Sequence, residues 1–226
     1  MKTIVQIANL LFTSAMLFWL HSCEKPKSEP SPISCTNNTM PLPQMAKDYF
    51  LFKDGSYWVY KNTITQQQDS FYVTDFKNLI GDNTQYKYGN TLKRCYEMYE
   101  YKMKGNLIGG MKCVSYPNFP NNDLQFATQT FFIDEYNNKI TGQQYSKFTF
   151  IGDSLLRSDF VLGSTINLLD SLGVSGKFYY NIISQRNANL GIDYAKVSYY
   201  AKNIGLIKFT TNDNQTYELI KYHINQ

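Results

Sequence analysis

The stretch YAKVSYYAKNIGLIKFTTNDNQTYELIKYH, residues 194–223, decides the fold class of this chain. Aromatic and β-branched residues fill three runs, and clusters rich in Asn, Asp and Gly separate the runs at 202–205 and 212–214. Runs of this composition predict strands, and the short clusters between them predict the turns of antiparallel hairpins. The three predicted strands are 193–201, 205–211 and 215–224.

The same pattern continues upstream, where such runs recur about every ten residues, the spacing of an antiparallel sandwich or barrel. The chain holds 19 Tyr and 15 Phe, whose side chains suit pleated, half-exposed surfaces. The sequence therefore predicts a mostly β protein: an antiparallel curved sheet, half-barrel or sandwich, with one or two short helices, at 42–50 and 166–172. The remaining predicted strands are 56–63, 67–76, 93–103, 107–115, 125–134, 145–151, 155–161 and 177–185.

Alternation between apolar and polar residues is imperfect in several of these runs. At 96–101, for example, aromatic rings face both sides of the predicted strand. Either both faces of the sheet are covered, or one face carries an exposed aromatic surface. This ambiguity is the main opening that the sequence offers toward function.

The first residues form a tripartite export signal. An apolar run follows Lys2 and ends in the tetrapeptide LHSC at 20–23. Its apolar first residue, small third residue and Cys resemble the lipobox of bacterial lipoproteins, in which the Cys after the cleavage site is lipidated. The resemblance implies a lipoprotein signal peptide at 1–22, lipidation of Cys23 and attachment of the mature chain to a membrane.

The stretch after the signal is rich in Pro, Ser, Lys and Asn, and it holds five of the seven prolines in the chain. This composition cannot bury a core and predicts a disordered or polyproline-like tether. We therefore divide the chain into the signal peptide at 1–22, the lipidated Cys and disordered Pro-rich tether at 23–46, and a single β-rich domain at 47–226.

Four cysteines in an exported chain predict disulfide chemistry. With Cys23 lipidated, Cys35, Cys95 and Cys113 remain, so one of the three stays outside any internal disulfide. The stretch between Cys95 and Cys113 reads as a hairpin with a bend near 105–106, which favours a disulfide between these two residues. The alternative, two buried reduced thiols, remains open.

The chain contains no recognisable catalytic constellation. The formal net charge of +4 is spread along the sequence, which argues against a nucleic-acid partner. Without the signal, His223 is the only imidazole, so a zinc site built from His residues is excluded by count. Phosphate loops and Gly-x-Ser-x-Gly elbows are also missing from the sequence. We therefore predict no catalytic residue, no metal ligand and no cofactor.

Short motifs at the two ends of the predicted domain resemble uncharacterised lipoproteins of Gram-negative bacteria. Domains of that kind open with Gly-x-x-Trp-x-Tyr, here residues 55–60. They close with Gly-Leu-Ile-Lys, here 205–208, and a terminal strand bearing Glu-Leu, here Glu218 and Leu219. The resemblance implies a curved antiparallel sheet or half-barrel, and it carries no catalytic residues across.

Together these observations predict a cell-envelope lipoprotein that is lipid-anchored through Cys23, on the periplasmic or surface-exposed side of the outer membrane. Its predicted function is non-enzymatic binding of a hydrophobic ligand, a glycan or an envelope protein, through residues that the sequence does not identify. In the sharper form, the concave face of a half-barrel holds an acyl chain. The alternatives are a hydrolase that uses carboxylates from separate strands, and a purely structural or adhesive surface module.

Overall fold

The computed structural model describes Cys35 and residues 39–87, 90–105, 110–118, 125–134, 139–151, 153–156, 158–159, 164–187 and 195–226. Cys35–Gln226 form one compact unit. Across the described residues, one short helix, α1 (Gln44–Phe50), accompanies fourteen strands. The strands are β1 (Thr39–Met40), β2 (Tyr57–Asn62), β3 (Gln68–Lys87), β4 (Asn90–Lys104), β5 (Gly110–Asn118), β6 (Gln125–Asp134), β7 (Lys139–Ile151), β8 (Ser154–Leu155), β9 (Ser158–Asp159), β10 (Ser164–Val174), β11 (Lys177–Arg186), β12 (Ala195–Ala201), β13 (Gly205–Thr211) and β14 (Thr216–His223).

The strands form one large sheet, which confirms the predicted mostly β fold. Neighbouring strands are antiparallel, except that β1 pairs with β4 in parallel. The chain runs outward from β2 through successive neighbours to β8 at one edge, and then inward from β9 at the other edge to β14, which pairs with β2. β8 and β9 are the two edge strands of the sheet, yet only residues 156–157 separate them along the chain. The sheet is therefore curved, although its pairing does not close.

Aromatic packing around α1 shows how far the sheet curves. The ring of Phe50, at the end of α1, lies 4.7 Å from the ring of Phe148 on β7 and 5.2 Å from that of Tyr200 on β12. The rings of Phe148 and Tyr200 are themselves 5.1 Å apart. Since β7 and β12 belong to opposite arms of the sheet, the two arms meet at Phe50, and α1 fills the space between them.

Several strands have the predicted bounds, and one is much longer. β6 and β13 begin and end as the sequence predicts. β3 continues past its predicted end at 76, because its pairing with β4 runs on to Lys87 opposite Asn90. The result is a long hairpin that extends the first arm of the sheet.

The helix predicted at 166–172 is wrong, because β10 runs through these residues. β10 pairs with β11 along almost its whole length and connects to it through Ser175 and Gly176. Both of these residues have positive φ, 47° and 79°, as two-residue hairpin turns require. The hydrogen-bond ladder of this hairpin outweighs the helical spacing of the apolar residues in β10.

The disordered tether predicted at 23–46 is wrong over its last part, and the compact unit begins before the predicted boundary at 47. The helix predicted at 42–50 is present as α1, and it buries Ala46 together with the preceding Leu42. Pro43 directly precedes α1 with a φ of −52°, the range that the proline ring imposes. The prolines that resemble a tether here belong to the start of a packed helix.

The predicted disulfide is also wrong, because Cys95 is bonded to Cys35, with a Cα–Cα distance of 5.5 Å, and Cys113 is a buried thiol on β5. The hairpin predicted between the two cysteines exists, but its register places Cys113 opposite Tyr101. Tyr101 lies about 20 Å along β4 from Cys95, at the rise of a strand. Thr39 of β1 lies opposite Cys95 instead, which brings Cys35 within reach.

Candidate functional site

The interior between the arms of the sheet is the expected place for an acyl chain, but it is filled. The cavity beside α1 measures only about 30 Å³ and is lined by aromatic side chains such as Phe50, Trp58 and Tyr60. Pockets that hold small organic ligands measure about 300–1,000 Å³. Tyr101 crosses this space and donates its hydroxyl hydrogen to the Phe50 carbonyl at 2.9 Å. Among the residues that the structure describes, the space beside α1 therefore has no room for an acyl chain.

The surface carries an open groove of about 340 Å³, which we name the aromatic groove. Three of its rings are well exposed: Phe178 by 71%, Tyr180 by 66% and Tyr222 by 40%. An exposed apolar surface that several rings contribute to one groove is a feature of interaction sites. The groove is lined by Lys177, Phe178, Tyr179, Tyr180 and Asn181 of β11, by Lys202, Asn203 and Ile204 of the β12–β13 turn, and by Tyr222 of β14.

Phe178 and Tyr180 form the widest aromatic surface of the groove. They occupy alternate positions of β11, so they project on the same side about 7 Å apart. Their cross-strand partners on β10 are Gly173 and Ser171, whose side chains are absent or small. Large partners would cover the rings, whereas these small ones leave the ring faces open to a ligand.

Asn181 lies directly before the first residue of β11 that pairs with β12. Its φ of 53° is left-handed, a conformation that Asn tolerates better than most residues. The buried Tyr49 of α1 donates its hydroxyl hydrogen to the Asn181 carbonyl at 2.7 Å. From Ile182 onward β11 is paired with β12, with Ile182 opposite Ala201. Residues 177–181 of β11, which line the groove, therefore extend past the end of β12.

The opposite wall of the groove is held by α1 and β2. The Lys202 ammonium lies 3.0 Å from the Asp48 carboxylate, and the Asn203 N–H donates to the Asp48 carbonyl at 2.7 Å. The indole N–H of Trp58 donates to the Ile204 carbonyl at 2.6 Å. Three consecutive residues of the wall are thus fixed by the core, so the groove is preformed.

Tyr179 forms part of the floor of the groove and is nearly buried. Burial raises the pKa of its phenol, and the nearby Tyr222 raises it further. Tyr179 therefore stays protonated at any physiological pH, and its hydroxyl remains able to donate a hydrogen bond.

The tip of the β10–β11 hairpin is fastened across the sheet to β14. The N–H and hydroxyl of Ser175 donate to one carboxylate oxygen of Glu218 at 3.1 and 3.2 Å, and Lys208 donates to the other at 2.8 Å. Burial alone would raise the pKa of Glu218, but the hydrogen bonds and charge of its partners outweigh it and lower the pKa. We name this contact the tip latch.

Acid should release the tip latch. Because the pKa of Glu218 is lower in the folded protein, its ionised form stabilises the fold above the unfolded-state pKa. This stabilisation, about 1 kcal/mol for a half-buried charged hydrogen bond, is lost as pH falls through the folded-state pKa. The amide nitrogen shift of Ser175, followed by NMR, should titrate below the ordinary pKa of a glutamate.

Glu218→Gln is the control for this titration, because it keeps an acceptor oxygen but cannot ionise. In this variant the Ser175 shift should show no carboxylate titration. A midpoint at or above the ordinary glutamate value in the unaltered protein would contradict the latch.

The residues that the sequence singles out as sites do not form the groove. Cys23 lies outside the described residues, and Cys95 and Cys113 are placed on β4 and β5, where neither lines the groove. Over the described ranges, no group of three or more His, Cys, Asp or Glu side chains could hold a metal ion. The groove residues escape sequence reasoning, although three consecutive aromatics at 178–180 must place rings on both faces of a strand.

Comparisons of the chain with protein-family models, curated proteins and solved structures give no match. The resemblance to Gram-negative lipoproteins therefore stays a prediction, as do export, lipidation of Cys23 and location in the envelope. In the portion of the chain that the structure describes, no helix combines the length and apolar character needed to cross a membrane.

Proposed function

We propose that this protein is a non-enzymatic binding module that holds a glycan in the aromatic groove. The observation that carries the proposal is the pair of exposed rings, Phe178 and Tyr180, whose faces are left open by small cross-strand partners. The function predicted from the sequence includes a hydrophobic ligand, a glycan and an envelope protein, and the groove favours the glycan among them.

Sugar chemistry matches this lining. A pyranose ring presents C–H groups on its faces and hydroxyl groups around its rim, so it stacks on an aromatic ring while its rim stays hydrogen-bonded. The rings of the groove offer the stacking surface, and the side chains of Asn181 and Asn203 stand beside it. Stacking and rim hydrogen bonds can therefore form together in one bound pose.

The shape of the groove favours a glycan over an apolar ligand. Its volume of about 340 Å³ is open to solvent, and its lining mixes rings with amides and ammonium groups. An apolar ligand would remain partly hydrated there and would bury polar groups such as Asn181 and Lys177 without pairing them. Apolar ligands favour enclosed pockets, and the enclosed cavity beside α1, in the described part of the chain, measures only about 30 Å³.

The experiment is binding of the purified protein to a broad glycan array, followed by calorimetric titration of the tightest-binding glycan. Tyr180→Ala should weaken binding at least tenfold, since it removes half of the stacking surface, an effect of about 1.4 kcal/mol. Tyr72→Ala is the matched control, because Tyr72 on β3 is 43% exposed and does not line the groove.

Two results would contradict the proposal. One is binding to no glycan on the array, and the other is glycan binding that Tyr180→Ala leaves unchanged. Analysis of the bound glycan for cleavage products tests the non-enzymatic part separately, and cleavage would favour the hydrolase alternative instead.

A further inference from the structure

The charged side chains that line the aromatic groove are all of one sign. Its lining contains Lys177 and Lys202 and no Asp or Glu. The charge of Lys202 is already paired with Asp48 at 3.0 Å. Lys177 is exposed and forms no ion pair with any residue that the structure describes. One unpaired ammonium therefore stands at the end of the groove, next to Phe178.

The acidic residues near the groove do not cancel this charge. Asp48 is held by Lys202, and Glu218 is held by Lys208 and by Ser175 of the tip latch. Asp170 is exposed on the other strand of the hairpin and does not line the groove. A ligand that enters the groove thus meets a net positive charge at its Lys177 end.

We infer that the glycan bound in the groove is acidic, with a carboxylate or phosphate placed at Lys177 and neutral ring faces stacked on Phe178 and Tyr180. The inference rests on the glycan-binding function proposed above and specifies the substrate class. The placement follows from the groove lining, which includes Lys177 together with both rings, and Lys177 is the first residue of β11, at the hairpin tip. The acidic group accordingly lies at one end of the bound segment rather than over the rings.

The contribution of Lys177 to the binding free energy is limited because its side chain is exposed to solvent. Ion pairs at exposed positions contribute about 0.2–1 kcal/mol, and salt screens them within about 8 Å at physiological ionic strength. A preference of about three- to fivefold for an acidic glycan is therefore expected at low salt, with most of it lost at high salt.

The test uses matched pairs of oligosaccharides, namely oligomers of galacturonic, glucuronic and mannuronic acid, each beside its carboxyl-reduced neutral counterpart. The unaltered protein should bind at least one acid about three- to fivefold more tightly than its neutral counterpart at low salt. Lys177→Gln should abolish this preference, so that the acid and its neutral counterpart bind equally at low salt. Lys104→Gln is the matched control, because Lys104 is exposed at the end of β4 and does not line the groove.

The outcomes separate this inference from the proposed function. Equal binding of the acid and its neutral counterpart, with both lost in Tyr180→Ala, would overturn the acidic preference and leave glycan binding intact. An acidic preference that survives Lys177→Gln would also overturn the inference. If no uronic oligomer binds while a neutral glycan on the broad array does, the inference is wrong and the proposed function stands.

Discussion

Phe50→Ala is expected to lower the free energy of unfolding by about 4 kcal/mol, the usual cost of removing a buried Phe ring. Phe50 contacts rings from both arms of the sheet, Phe148 at 4.7 Å and Tyr200 at 5.2 Å. Its removal leaves a void in an interior that now holds a cavity of only about 30 Å³. Because α1 also holds the β12–β13 turn, this substitution should weaken the groove as well as the core.

Urea denaturation followed by tryptophan fluorescence measures this loss. Phe178→Ala is the matched control, since it makes the same chemical change at a side chain that is 71% exposed. The control should change the free energy of unfolding by less than about 0.5 kcal/mol. A loss below about 1 kcal/mol for Phe50→Ala would show that α1 is not part of the core.

Cys35→Ser is expected to lower the free energy of unfolding by about 4 kcal/mol under oxidising conditions, on the chain-entropy estimate for a long loop. The disulfide joins residues 60 positions apart and ties the start of the compact unit to β4. Without it, the unfolded chain regains the freedom that loop closure removes. β1, which is only two residues long, would then hold the N-terminal segment by few contacts.

Reductant and mass determination separate this disulfide from the alternatives. The unaltered protein should gain two daltons on reduction and lose stability, whereas Cys35→Ser should show neither change. Cys113→Ser should keep the two-dalton gain, because Cys113 is buried outside the disulfide. Loss of the gain in Cys113→Ser, with its retention in Cys35→Ser, would instead support the Cys95–Cys113 pairing.

The sequence predicts strands well where turn residues bound them on both sides. β13 is the clearest case, because Gly205 begins it and the turn at 212–214 follows it. Gly205 has a φ of 84°, and an added Cβ would lie 2.7 Å from the Phe52 ring, so only Gly fits there. The turn residues at both ends of β13 are visible in the sequence, so its bounds can be predicted without a structure.

Features that depend on distant residues could not be predicted. The pairing of Cys95 is decided by the register of β4 with β5 and by β1, which joins the sheet from far upstream. Residues 39–46 are ordered because Leu42 and Ala46 are buried against strands that follow much later in the chain. Composition alone cannot distinguish such a packed segment from a tether.

The groove escapes prediction for the same reason. Exposure of Phe178 and Tyr180 results from β11 extending past β12, and openness of their ring faces results from Gly173 and Ser171 lying opposite. The sequence shows only that an aromatic surface is either covered or exposed. In the structure both situations occur: Tyr99 and Tyr101 of β4 are buried, whereas Phe178 and Tyr180 of β11 are exposed.

The helix α1 contacts both the interior of the sheet and the wall of the groove. Phe50 of α1 fills the interior that would otherwise suit an apolar ligand, and Asp48 on the same helix positions Lys202 and Asn203 in the wall of the groove. The packing of the interior and the position of the groove wall therefore depend on the same seven-residue helix. Binding should consequently occur on the surface of this fold, without any opening of its core.

A crystal structure of the protein with its tightest-binding glycan tests this most directly. We expect a sugar ring stacked on Phe178 or Tyr180 at about 4 Å, with α1 and the filled interior unchanged. A ligand bound between the arms of the sheet with α1 displaced, or bound on a surface that does not include β11, would contradict the account.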